Sequence, residues 1–116
     1  MAYRSYEDLG VWQRGVELAV AIYSTLNGCK DFGFRNQICR AAVSIPSNIA
    51  EGVERESKKE TVHFLHIAKG SCAELRTQLL IGKEINIIQS DILDKLNKEA
   101  QEISRMLHGL IKSLKT

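Results

Sequence analysis

The chain has 116 residues, 16 Lys and Arg against 14 Asp and Glu for a net charge of +2, 44% hydrophobic residues and a single proline. That length holds one domain, the apolar share excludes a disordered or fibrous chain, and the near-balance of charge excludes a dedicated nucleic-acid tail or a polybasic membrane anchor. An aromatic share of 6% argues against a β-sandwich or barrel, and one proline leaves long helices unopposed.

The opening residues Met1 to Asp8 lack the apolar core of a signal peptide. No apolar run approaches the roughly 20 residues that span a bilayer. A cytoplasmic protein without membrane contact is the expectation. From about 7 to 26, Leu9, Trp12, Val16, Ala19, Tyr23 and Leu26 are spaced 3, 4, 3, 4, 3, which predicts a first helix with these residues on its core stripe. Ser5 with Glu7 and Asp8 supplies a cap and a negative first turn, and Asn27-Gly28 a stop.

A second helix is expected over about 34–53, with Ile38, Ala41, Ala42, Ile45, Ile49 and Val53 inward. Pro46 lies inside it; the missing N–H and the clash with the Ala42 carbonyl predict a kink, with Ser44 and Ser47 placed to bond freed backbone groups. Ser57 with Glu60 forms a capping box for a third helix over about 58–86. Its core seam is Leu65, Ala68, Cys72, Leu75 and Leu79, widened by Phe64, Ile67, Ile81 and Ile85. Gly70 falls in the small-residue run Gly70-Ser71-Cys72-Ala73, where a close approach by a neighbouring helix is the expected reason for a costly mid-helix glycine. Ser90-Asp91 is read as the cap of a fourth helix over about 91–114, whose seam Leu93, Leu96, Ala100, Ile103, Leu107, Leu110, Leu114 is spaced 3, 4, 3, 4, 3, 4 and flanked by Ile92, Met106 and Ile111. These elements predict an all-α, single-domain, up-down-up-down antiparallel four-helix bundle over 1–116.

The segment Arg40-Ala41-Ala42-Val43-Ser44-Ile45-Pro46-Ser47-Asn48-Ile49-Ala50-Glu51-Gly52 resembles the signature of the bacterial four helix bundle protein family, encoded by intervening sequences of 23S rRNA genes. Asp8-Leu9-Gly10-Val11-Trp12-Gln13, Arg55, Ser57-Lys58-Lys59-Glu60 and Ile67-Ala68-Lys69-Gly70-Ser71-Cys72-Ala73-Glu74-Leu75 extend the resemblance along nearly the whole chain. Gly15 departs from it where alanine is more usual, and the loop from Asn27 to Gly33 where a proline is common. The resemblance implies a four-helix bundle that assembles as a homopentamer, with no catalytic residues and no cofactor. The family is similar to the accessory variability determinant of diversity-generating retroelements, a basic pentameric barrel that binds nucleic acid and a reverse transcriptase. The implied partners are therefore a second copy of the chain and RNA, DNA or a nucleic-acid-handling protein.

Two surfaces are candidates for function. The polar stripe Gln37, Arg40, Ser44, Ser47, Asn48, Glu51 and Arg55 on the second helix suits a subunit or partner contact; the alternative is a solvated face with a Glu51–Arg55 pair. On the third helix, Lys59, His63, His66, Lys69, Arg76 and Lys83 stay on roughly one side. Repeated around a ring they would form a positive surface for a nucleic-acid backbone; the alternative is an ordinary solvated face softened by Glu74 and Glu84. His63 and His66 lack further metal ligands at a useful spacing, and Ser44 and Ser47 have no GxSxG context. Cys29, Cys39 and Cys72 are widely spaced without a CxxC pair; they predict reduced thiols, with Cys39 and Cys72 packed in a core or interface. No catalytic, cofactor-binding or metal residue is assigned. The expected protein is a non-enzymatic oligomer that binds nucleic acid through a basic ring; the alternative is a structural adaptor that holds a protein partner with no nucleic-acid contact.

Overall fold

Each strongly periodic stretch forms a helix in the computed structural model, which describes residues 5–116. Among these, the α-helices are α1 (Gly10–Thr25), α2 (Phe32–Val53), α3 (Lys58–Glu84) and α4 (Ser90–Leu114). The leader reading of residues 1–4 lies outside the described residues. No described helix is long and apolar enough to cross a membrane.

Neighbours in the chain are neighbours in space, and α1 closes against α4, while neither diagonal pair touches. The result is a four-helix bundle 44 Å long and 20 Å across. Contacts between α2 and α3 run in opposite senses: Gly52 meets Phe64, Ser44 meets Ser71, and Gly82 meets Phe34. The expected seams of α2, α3 and α4 supply the core, with Ile38, Ile45, Ile49, Leu65, Leu75, Leu79, Ile103 and Leu107 fully buried. Cys39 and Cys72 are free and buried, as expected.

The differences have local causes. Ser5 accepts a hydrogen bond from Glu7 N, so it caps a separate 3-10 turn over Tyr6–Asp8. Leu9 is extended, and α1 starts only at Gly10 rather than near residue 7. The core stripe of α1 is also rotated from the expected one. Val11, Gly15, Leu18 and Ile22 join Leu9, Ala19 and Leu26 inside, whereas Tyr23 is 50% exposed. Trp12 is half-buried, edge-on to Tyr6 with ring centroids 5.2 Å apart. The rotation follows from Pro46: a Cβ built on Gly15 would stand 3.4 Å from the Pro46 side chain, so the missing side chain at Gly15 lets α1 settle on α2 at that point.

Helix α2 begins at Phe32, earlier than expected, because Asp31 accepts from Phe34 N and caps it. It runs through Pro46 without interruption. Ser44 bonds other side chains rather than freed backbone. Ser57 caps α3 through Glu60 N, as the capping box predicts. Ser90-Asp91 does not cap α4: Ser90 is already helical, and Gln89 is the N-cap without a side-chain bond.

Gly70 is exposed with nothing within 4 Å of a would-be Cβ, so the expected close approach is not there. It lies instead at Gly52, where a Cβ would stand 2.8 Å from Phe64 Cβ and 3.1 Å from the Thr61 carbonyl, and at Gly82, where it would meet Ile88 and Phe34. Ile67, Ile81 and Ile85 do not widen the core seam; they are 39–48% exposed on the outer side of α3.

Candidate functional site

The structure divides the polar stripe of α2 in three. Ser44 and Asn48 turn into the seam with α3: Asn48 Nδ2 donates to the Ser44 carbonyl at 2.8 Å and to Ser44 Oγ at 2.9 Å. Ser44 Oγ lies 2.9 Å from the hydroxyl of buried Ser71, which also donates to the Ile67 carbonyl at 3.1 Å. These groups satisfy one another and hold α2 against α3. Glu51 and Arg55 form the expected i,i+4 pair at 2.8 Å, with the Arg55 guanidinium 4.6 Å from the Phe64 ring centroid. Gln37, Arg40 and Ser47 remain exposed.

Arg40 shares a shallow depression with Tyr23 and Arg35. Next to it, Val16, Val20, Tyr23, Val43 and Pro46 line an apolar groove of about 360 Å³ between α1 and α2. The sequence reading missed this surface because it placed Val16 and Tyr23 in the core stripe. Val20 (60% exposed) and Val43 are the signal that could have found it: each is an unexplained apolar residue outside the assigned seam.

The basic stripe of α3 also divides. Lys59, His63 and His66 project from the N-terminal half; His63 packs edge-on to Phe64 at 5.4 Å. No third His, Cys, Asp or Glu joins a histidine pair in a metal-binding group among the described residues. Lys69, Arg76 and Lys83 recur every seven residues and are half-buried. Lys83 lies 3.5 Å from Glu84. Lys69 Nζ lies 3.2 Å from His108 Nδ1, within hydrogen-bond reach. Arg76 Nε donates to Asn97 Oδ1 at 2.9 Å.

Helix α4 therefore meets Lys69 with an imidazole and Arg76 with an amide. Neither cation has a carboxylate within ion-pairing distance among the described residues, where the ion pairs are Arg14–Glu99, Arg55–Glu51, Lys83–Glu84 and Arg105–Glu102. Arg14 in particular clamps α1 to α4 with a two-pronged contact to Glu99, at 2.9 Å and 2.7 Å. This hydrogen-bonded pairing raises the Arg14 pKa above its ordinary value. The pairing of α3 cations with Asn97 and His108 was not legible in the sequence, since it depends on the register between two helices.

The buried thiols of Cys39 and Cys72 are not poised as nucleophiles. Burial pushes Cys72 up to about 11, partly offset by the charge of Arg76, and burial also raises Cys39. The Cys72 shift has a thermodynamic consequence. Its folded pKa exceeds the ordinary 9.0, so the stabilisation is complete below about pH 9 and is lost as pH rises toward about 11. Unfolding free energies from urea titrations across that window should fall by about 2–3 kcal/mol more in the parent than in Cys72→Ala, where the raised Cys39 thiol still contributes.

The model of the family described as 23S rRNA-intervening sequence protein matches residues 7–109, which takes in all but the end of α4. The chain belongs to the 23S rRNA-intervening sequence protein family. A structure of a protein with unknown function from the S23 ribosomal protein family of Bacteroides thetaiotaomicron VPI-5482 is similar, with a TM-score of 0.83 and 29% identity over 88% of this chain and 98% of that one. A search of the curated proteins gives no match. Neither the 23S rRNA-intervening sequence model nor the S23 relative indicates an enzymatic family.

Proposed function

We propose that this protein is a non-enzymatic helical scaffold that assembles with copies of itself into a pentameric ring in the cytoplasm and binds RNA through the basic residues of α3. The observation that carries the nucleic-acid part is the state of Lys69 and Arg76: half-buried, beside an imidazole and an amide, and in no ion pair among the described residues. Such cations release condensed counterions when they meet phosphate, without first breaking an ion pair. A chain of net charge +2 gains modestly from two of them, and a ring multiplies the gain. The description of the family as 23S rRNA-intervening sequence protein, and of its structural relative as a member of the S23 ribosomal protein family, supports an RNA association.

Self-association is supported by the apolar groove between α1 and α2 and by the exposed Gln37, Arg40 and Ser47 nearby. Light scattering together with filter binding of RNA between about 50 and 200 mM salt tests the reading. The expected result is a species several times 13.0 kDa whose RNA affinity falls with salt. A 13.0 kDa monomer without salt-sensitive affinity overturns it. Assembly without RNA affinity is the result expected of the adaptor reading, which the apolar groove favours as a place for a protein partner.

A further inference from the structure

We infer that the groove between α3 and α4 beside Arg76 receives an unpaired nucleotide, with Arg76 on its phosphate and Asp94 on the amino group of its base; this rests on the RNA-binding reading above. The groove measures about 420 Å³, within the range of small-molecule sites. Arg76, Thr77 and Leu80 line it from α3, and Leu93, Asp94 and Asn97 from α4.

Its polar groups are of both kinds. Arg76 commits Nε to Asn97 Oδ1, which fixes the guanidinium plane and leaves the Nη donors without a partner among the described residues. Asn97 likewise keeps its amide donors. Thr77 Oγ1 donates to the Ala73 carbonyl at 2.9 Å, so what it offers the groove is an acceptor. Asp94 is exposed and makes no ion pair among the described residues, so its carboxylate is a second acceptor. Leu93 is half-buried in the wall, and Leu80, 52% exposed, stands as an apolar lip.

This combination narrows the ligand. A small anion would use Arg76 and be repelled by Asp94. An apolar helix would bury both charges unpaired, at high cost. A nucleotide has an apolar planar face for the leucines, a phosphate for Arg76 and a base edge with donors for Asp94 and Thr77. The base must be out of its stack, because a duplex presents neither its faces nor its Watson–Crick edges. A carboxylate accepts from the amino group of cytosine and repels the carbonyl that uracil carries at the same place. The site thus selects single strands and prefers cytidine to uridine.

Fluorescence anisotropy with labelled oligo-C, oligo-U and an RNA duplex of equal length tests this on the full chain. Oligo-C should bind about 5- to 100-fold more tightly than oligo-U, and both more tightly than the duplex. Asp94→Asn should erase the preference, weakening oligo-C while oligo-U, freed of the carboxylate's repulsion, binds at least as tightly as before, which a folding defect would not do. Arg76→Gln should weaken both equally. Salt-sensitive binding with no strand preference, or an oligo-C to oligo-U ratio unchanged by Asp94→Asn, overturns the nucleotide site and leaves the general RNA reading standing. Absence of binding to every probe overturns both.

Discussion

Replacing Gly52 by valine should lower the unfolding free energy by about 2–3 kcal/mol and the melting temperature by about 10 °C. The reason lies in what blocks the new side chain. A Cβ at Gly52 would stand 2.8 Å from Phe64 Cβ and 3.1 Å from the Thr61 carbonyl, groups tied to the backbone of α3 that cannot swing aside. The helices would have to separate, and the bond from Thr61 Oγ1 to the Gly52 carbonyl, 2.8 Å long, would stretch with them. Gly82 is also crowded, but by the far ends of Ile88 and Phe34, which have some freedom to move. Gly70→Ala is the control: with open space around it, alanine should stabilise by up to about 1 kcal/mol through helix propensity alone. Thermal melts followed by circular dichroism read all of these. A Gly52→Val protein as stable as the parent would show that the α2–α3 contact is looser than described.

The second large effect is on RNA. Removing two phosphate contacts from a single strand lowers the salt slope of binding by about 1.4, which at about 0.1 M salt corresponds to roughly a 25-fold loss of affinity. Lys69→Ala combined with Arg76→Gln should produce that change in both quantities. Glutamine shortens the disruption at Asn97, and circular dichroism checks that the bundle persists. Lys30→Ala, one charge lost from the loop between α1 and α2, should have much less than half that effect. A double variant with the parental slope would detach the basic stripe from nucleic acid.

Helix number, extent and most of the interior were legible because heptad spacing is a local property of the chain. The Ser57–Glu60 cap and the middle of the last seam, Leu96, Ala100, Ile103 and Leu107, could be read residue by residue, but Leu93, Leu110 and Leu114 are only half-buried, and Ile111, read as flanking, is in the core. The errors came where a partner helix decides. Trp12, Val16 and Tyr23 satisfied a 3-4 repeat as well as Val11, Leu18 and Ile22 did, and only the meeting of Gly15 with Pro46 chose between them. Gly70 and Gly52 are both helical glycines; Gly70 faces away from the α2–α3 seam and is idle, whereas Gly52 faces into it and makes a tight contact. Helical spacing singled out Arg76 but could not pair it with Asn97, and it could not show that Ser44 bonds both Asn48 and Ser71 in the α2–α3 seam. The cap at Asp31 was legible and overlooked, since Phe32-Gly33 read as loop.

The closure of the bundle is uneven. Helices α2 and α3 share the most extensive contact, pinned by Gly52, Gly82 and the Ser44–Ser71 pair, whereas α1 and α4 share the least, held by the Arg14 fork on Glu99. Every other contact between α-helices joins chain neighbours; this one alone joins segments about 85 residues apart. Such a molecule has a built-in line of parting. Its spontaneous openings will run along the α1–α4 seam, like a book whose spine is α2 and α3, and the amide protons of that spine will be the last to exchange with solvent.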